Sequence, residues 1–166
     1  MSCGVYLRQA NPADLAALAA LESACFTHPW TEAQIAEEMA VASPGGVFVL
    51  EGPPGTGAAG ICAYCAFRVV LDEMHVMNVA VAPRARRRGL ARRLVGFAVR
   101  RAAKAGARRA LLELRVGNRE ALALYESLGF RLLSRRREYY RQPVEDALVL
   151  VREGLAAAPA GPHRQP

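Results

Sequence analysis

Four arginines and a glycine stand where an apolar strand gives way to a helix, in Asn78-Val79-Ala80-Val81-Ala82-Pro83-Arg84-Ala85-Arg86-Arg87-Arg88-Gly89-Leu90-Ala91. A helix N-terminus presents unpaired backbone N–H groups and the positive end of the helix dipole, so it receives phosphate. Gly89 lets the backbone approach a ligand closely, and the arginines add charged donors. A solvated basic turn ahead of an ordinary amphipathic helix has the same spacing. A second candidate is Glu113, which interrupts the apolar run Leu111-Leu112-Glu113-Leu114. A carboxylate among apolar neighbours is either paired with an arginine or held for chemistry, and Arg115, two residues on and facing the same way, is the nearest partner. Asn118, Ala121 and Tyr125 fall at i, i+3 and i+7 and share one helix face, as a helix cap, a packing residue and a core tyrosine would.

Arg86-x-x-Gly89-x-Ala91 after an apolar strand resembles the Q/R-x-x-G-x-G/A signature of the GNAT N-acetyltransferases. That resemblance implies acetyl-CoA as cosubstrate. The strand residues Val79, Ala80 and Val81 would lie along the pantetheine arm, with Val79 and Val81 offering backbone groups. Arg86, Arg87, Arg88, Gly89, Leu90, Ala91 and Arg92 would wrap the pyrophosphate, and Asn118 would bond the coenzyme arm. Alanine rather than glycine at position 91 leaves slightly less room over the helix start. Further stretches resemble the ribosomal-protein-alanine (RimI) branch of the family: Leu114-flanked Glu113 with Arg115 and Asn118, then Ala121-Leu122 and Leu124-Tyr125-Glu126, Val70-Leu71-Asp72-Glu73, Asn78-Val79-Ala80-Val81 and Pro29-Trp30. The agreement is dense from Val70 to Phe130.

Acetyl transfer to an amine needs a neutral nucleophile, a stabilised thioester oxygen and a protonated leaving thiol. Under the resemblance Glu113 is the general base, since an N-terminal α-amino group has a pKa of about 7.7–8.0 and must lose a proton. A strand N–H near Val79 or Val81 stabilises the oxygen, and Tyr125 donates the proton to the thiolate. None of the cysteines lies in the motifs, so direct transfer in a ternary complex is the simplest scheme. The implied acceptor is the N-terminal alanine of a small-subunit ribosomal protein, met near the ribosome. Asp72, Glu73 and Trp30 are assigned to its binding, with Glu145 and Asp146 as further acidic positions for a basic peptide. A small-molecule amine acceptor, or a non-catalytic module for acyl-CoA or RNA, would use much of the same sequence.

The elements that must carry these groups read as an α/β chain: strand, two helices, three strands, helix, strand, helix, two strands. Val5 to Gln9 alternates as a strand. Asn11-Pro12 opens one helix and the Thr31-x-x-Gln34 capping box another, which runs to Met39. Strands follow at Val47–Glu51, Ala59–Val70 and roughly Glu73–Val81. The long helix stops at Gly106. Ala110–Arg115 is a strand, Asn118 caps a helix to Leu128, and Arg131–Arg137 and Ala147–Val151 are the last strands. This order matches the GNAT fold, a mixed and mostly antiparallel sheet flanked by helices on both faces. Residues 1–155 read as one domain and 156–166 as a disordered tail.

Composition narrows the setting. The 166 residues carry a net charge of +7, nearly all of the cations are arginines, and 52% are hydrophobic. A basic balance suits a polyanionic ligand such as coenzyme A, although an arginine- and alanine-favouring bias also produces it; nucleic-acid binding is not expected. No apolar run reaches the roughly 18 residues of a membrane span, and the N-terminus lacks the regions of a signal peptide, so a cytoplasmic protein without a membrane partner is expected. Cys62 and Cys65 are three apart on a strand and face opposite ways, which argues against a metal site. His28, His75 and His163 carry no assigned role.

Overall fold

The computed structural model describes residues 4–155. The expected tail, 156–166, and His163 within it lie outside the described residues. The chain order is β1 (Tyr6–Gln9), a single 3-10 turn (Pro12–Asp14), α1 (Leu15–Cys25), α2 (Glu32–Met39), β2 (Gly46–Glu51), β3 (Ile61–Val70), β4 (Glu73–Val81), a second 3-10 turn (Pro83–Ala85), α3 (Leu90–Lys104), β5 (Arg109–Arg115), α4 (Arg119–Ser127), β6 (Arg131–Arg141) and β7 (Val144–Arg152). The chain divides into two units, one formed by residues up to 68 with 75–98, the other by 69–74 with the residues from 99 onward.

In the first unit β1 pairs antiparallel with β2, Leu7 opposite Leu50, and β2 pairs antiparallel with β3, Val49 opposite Tyr64. β2 and β3 are continuous apolar runs, and Val47–Leu50 and Ile61–Phe67 are buried residue after residue. Strands covered on both faces show no alternation. Leu18 and Leu21 of α1 and Ile35 of α2 are fully buried. Phe48 stacks with Phe67 (centroids 5.6 Å apart) and tilts against Phe97 (5.0 Å). The entry to α1 is held twice. The Asn11 side chain accepts the Ala13 N–H (3.0 Å) while Asp14 Oδ2 accepts the Asn11 N–H (2.8 Å), and Arg8 grips both Asp14 oxygens, at 2.7 and 2.9 Å. The Thr31–Gln34 capping box starts α2.

Cys62 and Cys65 are both buried in β3. Burial raises the Cys62 thiol and pushes that of Cys65 up to about 12, so both stay protonated and inert. No cluster of metal-ligating side chains occurs among the described residues, and no helix there is long and apolar enough to cross a membrane.

In the second unit β7 lies between β5 and β6, antiparallel to both, with Glu113 opposite Val149 and Arg136 opposite Ala147. Ala110, Leu112 and Leu114 point inward, and Ala147–Val151 form the buried centre. β6 and β7 are longer than their sequences suggest. Their added segments are the polar Glu138–Arg141 and Val144–Asp146, where the register slips between Arg136 and Tyr140 and hides the alternation.

Candidate active site

The coenzyme-type segment belongs to the first unit. β4 delivers Val79, Ala80 and Val81, of which Ala80 alone is buried. Beyond the strand the Ala82 N–H donates to the Cys62 carbonyl (2.8 Å), and Pro83–Ala85 makes one tight turn. The Val81 carbonyl accepts from Arg86 Nε (3.2 Å) and Cys25 Sγ (3.3 Å), which draws the first loop arginine back onto the strand. Arg86 has φ −63°, Arg87 φ +63° and Gly89 φ +73°. Arg86 lies in the extended region and Arg87 and Gly89 in the left-handed one, and the N-terminus of α3 follows directly. Nothing lies within 4 Å of where a Gly89 Cβ would be, so this glycine is required by its left-handed φ rather than by crowding from the protein. α3 then starts at Leu90, with the Arg93 N–H on the Gly89 carbonyl (3.0 Å).

Behind β4 the structure reveals a buried polar cluster that the sequence reading missed. Glu22 is 1% exposed. Its Oε1 accepts from the Tyr64 hydroxyl and from Asn78 Nδ2 (2.9 Å), and its Oε2 accepts the Trp30 backbone N–H (2.8 Å). Asn78 Nδ2 also lies 2.9 Å from the Tyr64 oxygen, and Asn78 Oδ1 accepts the Val79 N–H at 2.9 Å. Burial, and then the neighbouring Glu22, push the Tyr64 phenol far above its ordinary value, so it remains a donor. Leu18, Leu21, Glu22 and Cys25 fall at i, i+3, i+4 and i+7, so a charged residue on an apolar stripe was the available signal.

The second unit carries the other candidates. Glu113 faces outward from β5 with its side chain 30% exposed. Its ion-pair partner is Arg136 of β6, at 2.8 Å, and Tyr139 donates to it, which raises that phenol. The partner expected from the sequence, Arg115, is engaged elsewhere: it meets Glu145 (3.2 Å), donates to the Gln142 and Pro143 carbonyls and lies 4.1 Å over the Tyr140 ring. Residues 113 and 115 share a face, but the slip in β6 aims Arg136 and Tyr139 at the first while the β6–β7 turn takes the second. Tyr125 is buried in α4, edge-on to Phe130 (5.6 Å). Asn118 Oδ1 caps α4 by accepting the Ala121 N–H (3.1 Å).

The acidic positions are less open than the sequence suggests. Glu73 is bound by Arg109, Glu145 by Arg115 and the Gly117 N–H, and Asp146 by Arg135 (2.5 Å) and the Glu138 N–H (2.8 Å). Asp72 is exposed, and its carbonyl accepts the Arg108 N–H (2.7 Å). Trp30 is half-buried in the first unit, at the start of α2.

Comparison with known proteins gives this geometry its relatives. Residues 15–130 match the model of the Acetyltransferase (GNAT) family. A Bacillus subtilis protein, provisionally named a ribosomal protein bS18-alanine N-acetyltransferase, is 31% identical over 78% of this chain and 83% of its own length. The Salmonella typhimurium ribosomal protein bS18-alanine N-acetyltransferase is 41% identical over 54% of this chain, and the matched stretch spans 62% of that enzyme. The crystal structure of the Escherichia coli ribosomal-protein-S18-alanine N-acetyltransferase superposes with a TM-score of 0.82 at 30% identity, covering 96% of this chain and 99% of that one. The α/β class and element order expected from the sequence are those of this fold.

Proposed function

We propose, since this chain belongs to the GNAT acetyltransferase family, that it moves the acetyl group of acetyl-CoA onto the α-amino group of an N-terminal alanine, that of a small-subunit ribosomal protein of the bS18 kind. Membership makes the chain an N-acetyltransferase; the acceptor is the further step. The observation that carries it is that relatives named for bS18-alanine acetylation match at 31–41% identity and that a further such enzyme, from Escherichia coli, shares the fold along nearly the whole chain. The reaction is assigned to the cytoplasm, where a ribosomal acceptor is met.

In this reading Val79–Val81 lie along pantetheine and Arg86–Arg92 hold the pyrophosphate. The left-handed Arg87 and Gly89 and the dipole of α3 support that placement. The acceptor nitrogen attacks the thioester carbonyl carbon while its proton passes to Glu113, directly or through a water. The carbonyl oxygen gathers negative charge opposite a β4 amide. As the C–S bond breaks, the sulfur takes a proton from Tyr125, leaving an amide and coenzyme A. Arg136 and Tyr139 hold the Glu113 carboxylate in one orientation and keep its charge compensated until the amine arrives. Asp72 and Glu73 are placed at the basic segment of the acceptor and Trp30 at its leading residue. Because Arg109 already binds Glu73, the acceptor's charge contributes by displacement rather than by filling an open acidic groove. Incubation with acetyl-CoA and a panel of alanine-, serine- and methionine-initiated peptides and small amines tests the assignment by mass spectrometry. Acetylation of the alanine peptides is expected, and acetylation of small amines alone would move the acceptor to another class.

A further inference from the structure

The mechanism leaves Glu22 unused. A carboxyl group 1% exposed is costly to bury, and its three donors, the Tyr64 hydroxyl, the Asn78 amide and the Trp30 N–H, include no cation. An apolar side chain would fill the same space on this helix stripe without that cost. What the carboxyl does instead is join two places. Through Oε2 it holds the backbone of Trp30; through Oε1 it holds Asn78, whose other amide atom holds the Val79 N–H.

The Val79 N–H makes one strong hydrogen bond at a time. If it turns to the coenzyme, Asn78 Oδ1 loses its partner. The carboxamide is a rigid plane, so a rotation that moves Oδ1 also moves Nδ2, which is shared between Glu22 and the Tyr64 oxygen. Glu22 then shifts, and with it the atom that fixes Trp30.

We propose that Glu22, Tyr64 and Asn78 are positioning residues that couple coenzyme binding at Val79 to the posture of the Trp30 segment, so that acetyl-CoA prepares the place where the acceptor is received. The proposal rests on the reading that the coenzyme lies along Val79–Val81. It gives the buried carboxyl a task that packing alone does not.

Trp30 is the chain's single tryptophan, so its fluorescence reports the segment without a label. The full chain is titrated with acetyl-CoA while acrylamide quenching of Trp30 is followed, and coenzyme affinity is measured separately by calorimetry. The wild type is expected to change its quenching as the coenzyme saturates. Tyr64→Phe keeps the ring and removes the hydroxyl that Asn78 and Glu22 share; it is expected to bind acetyl-CoA almost as tightly and to lose most of the Trp30 response. Glu22→Gln is expected to do the same and serves if the first variant folds poorly. Leu150→Val, a core change in the second unit, should keep the response despite a comparable loss of melting temperature. Calorimetric binding with no Trp30 response in the wild type, or a full response in Tyr64→Phe, would overturn the coupling alone. No acetyl-CoA binding at all would overturn the coenzyme site, and the coupling with it.

Discussion

Glu113 carries the chemistry of the proposal, and its surroundings make the assignment testable. It is the outward member of an otherwise apolar stretch of strand, with Arg136 at 2.8 Å. Glutamine keeps its size and one acceptor oxygen but cannot take a proton. Glu113→Gln is therefore expected to lower kcat by about 10²–10⁴-fold while calorimetry finds acetyl-CoA affinity nearly unchanged. Full turnover at neutral pH would reduce Glu113 to one half of the ion pair with Arg136. That the residue is set apart from its neighbours was legible from its interruption of Leu111-Leu112-x-Leu114. Which arginine it meets was not, because the partner lies 23 positions away on another strand and depends on a register slip. The same limit hid the Glu22 cluster. Tyr64 reads as one more apolar residue of a buried strand, and only the fold shows that Glu22, 42 residues earlier, lies against its hydroxyl.

Two junctions between elements are exposed to single changes. The turn between β4 and α3 depends on Gly89, at φ +73° with open space around it. Gly89→Val is expected to fold, to strain this turn and to crowd the backbone a pyrophosphate must approach, so affinity for coenzyme A should fall sharply in a calorimetric titration. Unaltered affinity in a folded variant would place the phosphate site elsewhere. At the entry to α1, Arg8 donates to both oxygens of Asp14, and with the Asn11 N–H it holds that carboxyl below the usual carboxylate range. A lowered folded-state pKa stabilises the protein above the unfolded value of about 3.9 and is lost as pH falls through the folded value. Asp14→Asn should therefore cost about 1–2 kcal/mol at neutral pH. The gap from wild type in urea unfolding should close as the pH drops below about 4, and a gap that does not narrow would remove the ion pair from the account. The caps Asn11, Thr31 and Asn118 were readable because a cap acts through residues two or three positions away. The ends of β6 and β7 were not, because an exposed, bulged strand carries no alternating apolar face.

The chain as a whole is basic, at +7, yet several of its acidic groups are committed to its own arginines, among them Asp14 to Arg8, Glu38 to Arg68, Glu73 to Arg109, Glu145 to Arg115 and Asp146 to Arg135. Such a charge distribution favours the polyanionic coenzyme over a strongly basic acceptor, so acceptor choice should depend on the leading residue more than on the charge that follows. Element order and the family's strand–arginine–glycine motif were legible because they are local patterns; the ion pairs that occupy the acidic positions were not, because they join side chains spread along the chain. The central claim is transfer to an α-amino group, and the most direct measurement follows a peptide with the leading sequence of a bS18 protein, beginning in alanine, beside the same peptide with its N-terminus blocked. Both are incubated with acetyl-CoA and fragmented in the mass spectrometer. One acetyl group on the alanine nitrogen of the open peptide, and none on the blocked one, is the predicted result. Acetylation of lysine side chains in both peptides, or of neither peptide while a small amine is turned over, would contradict it.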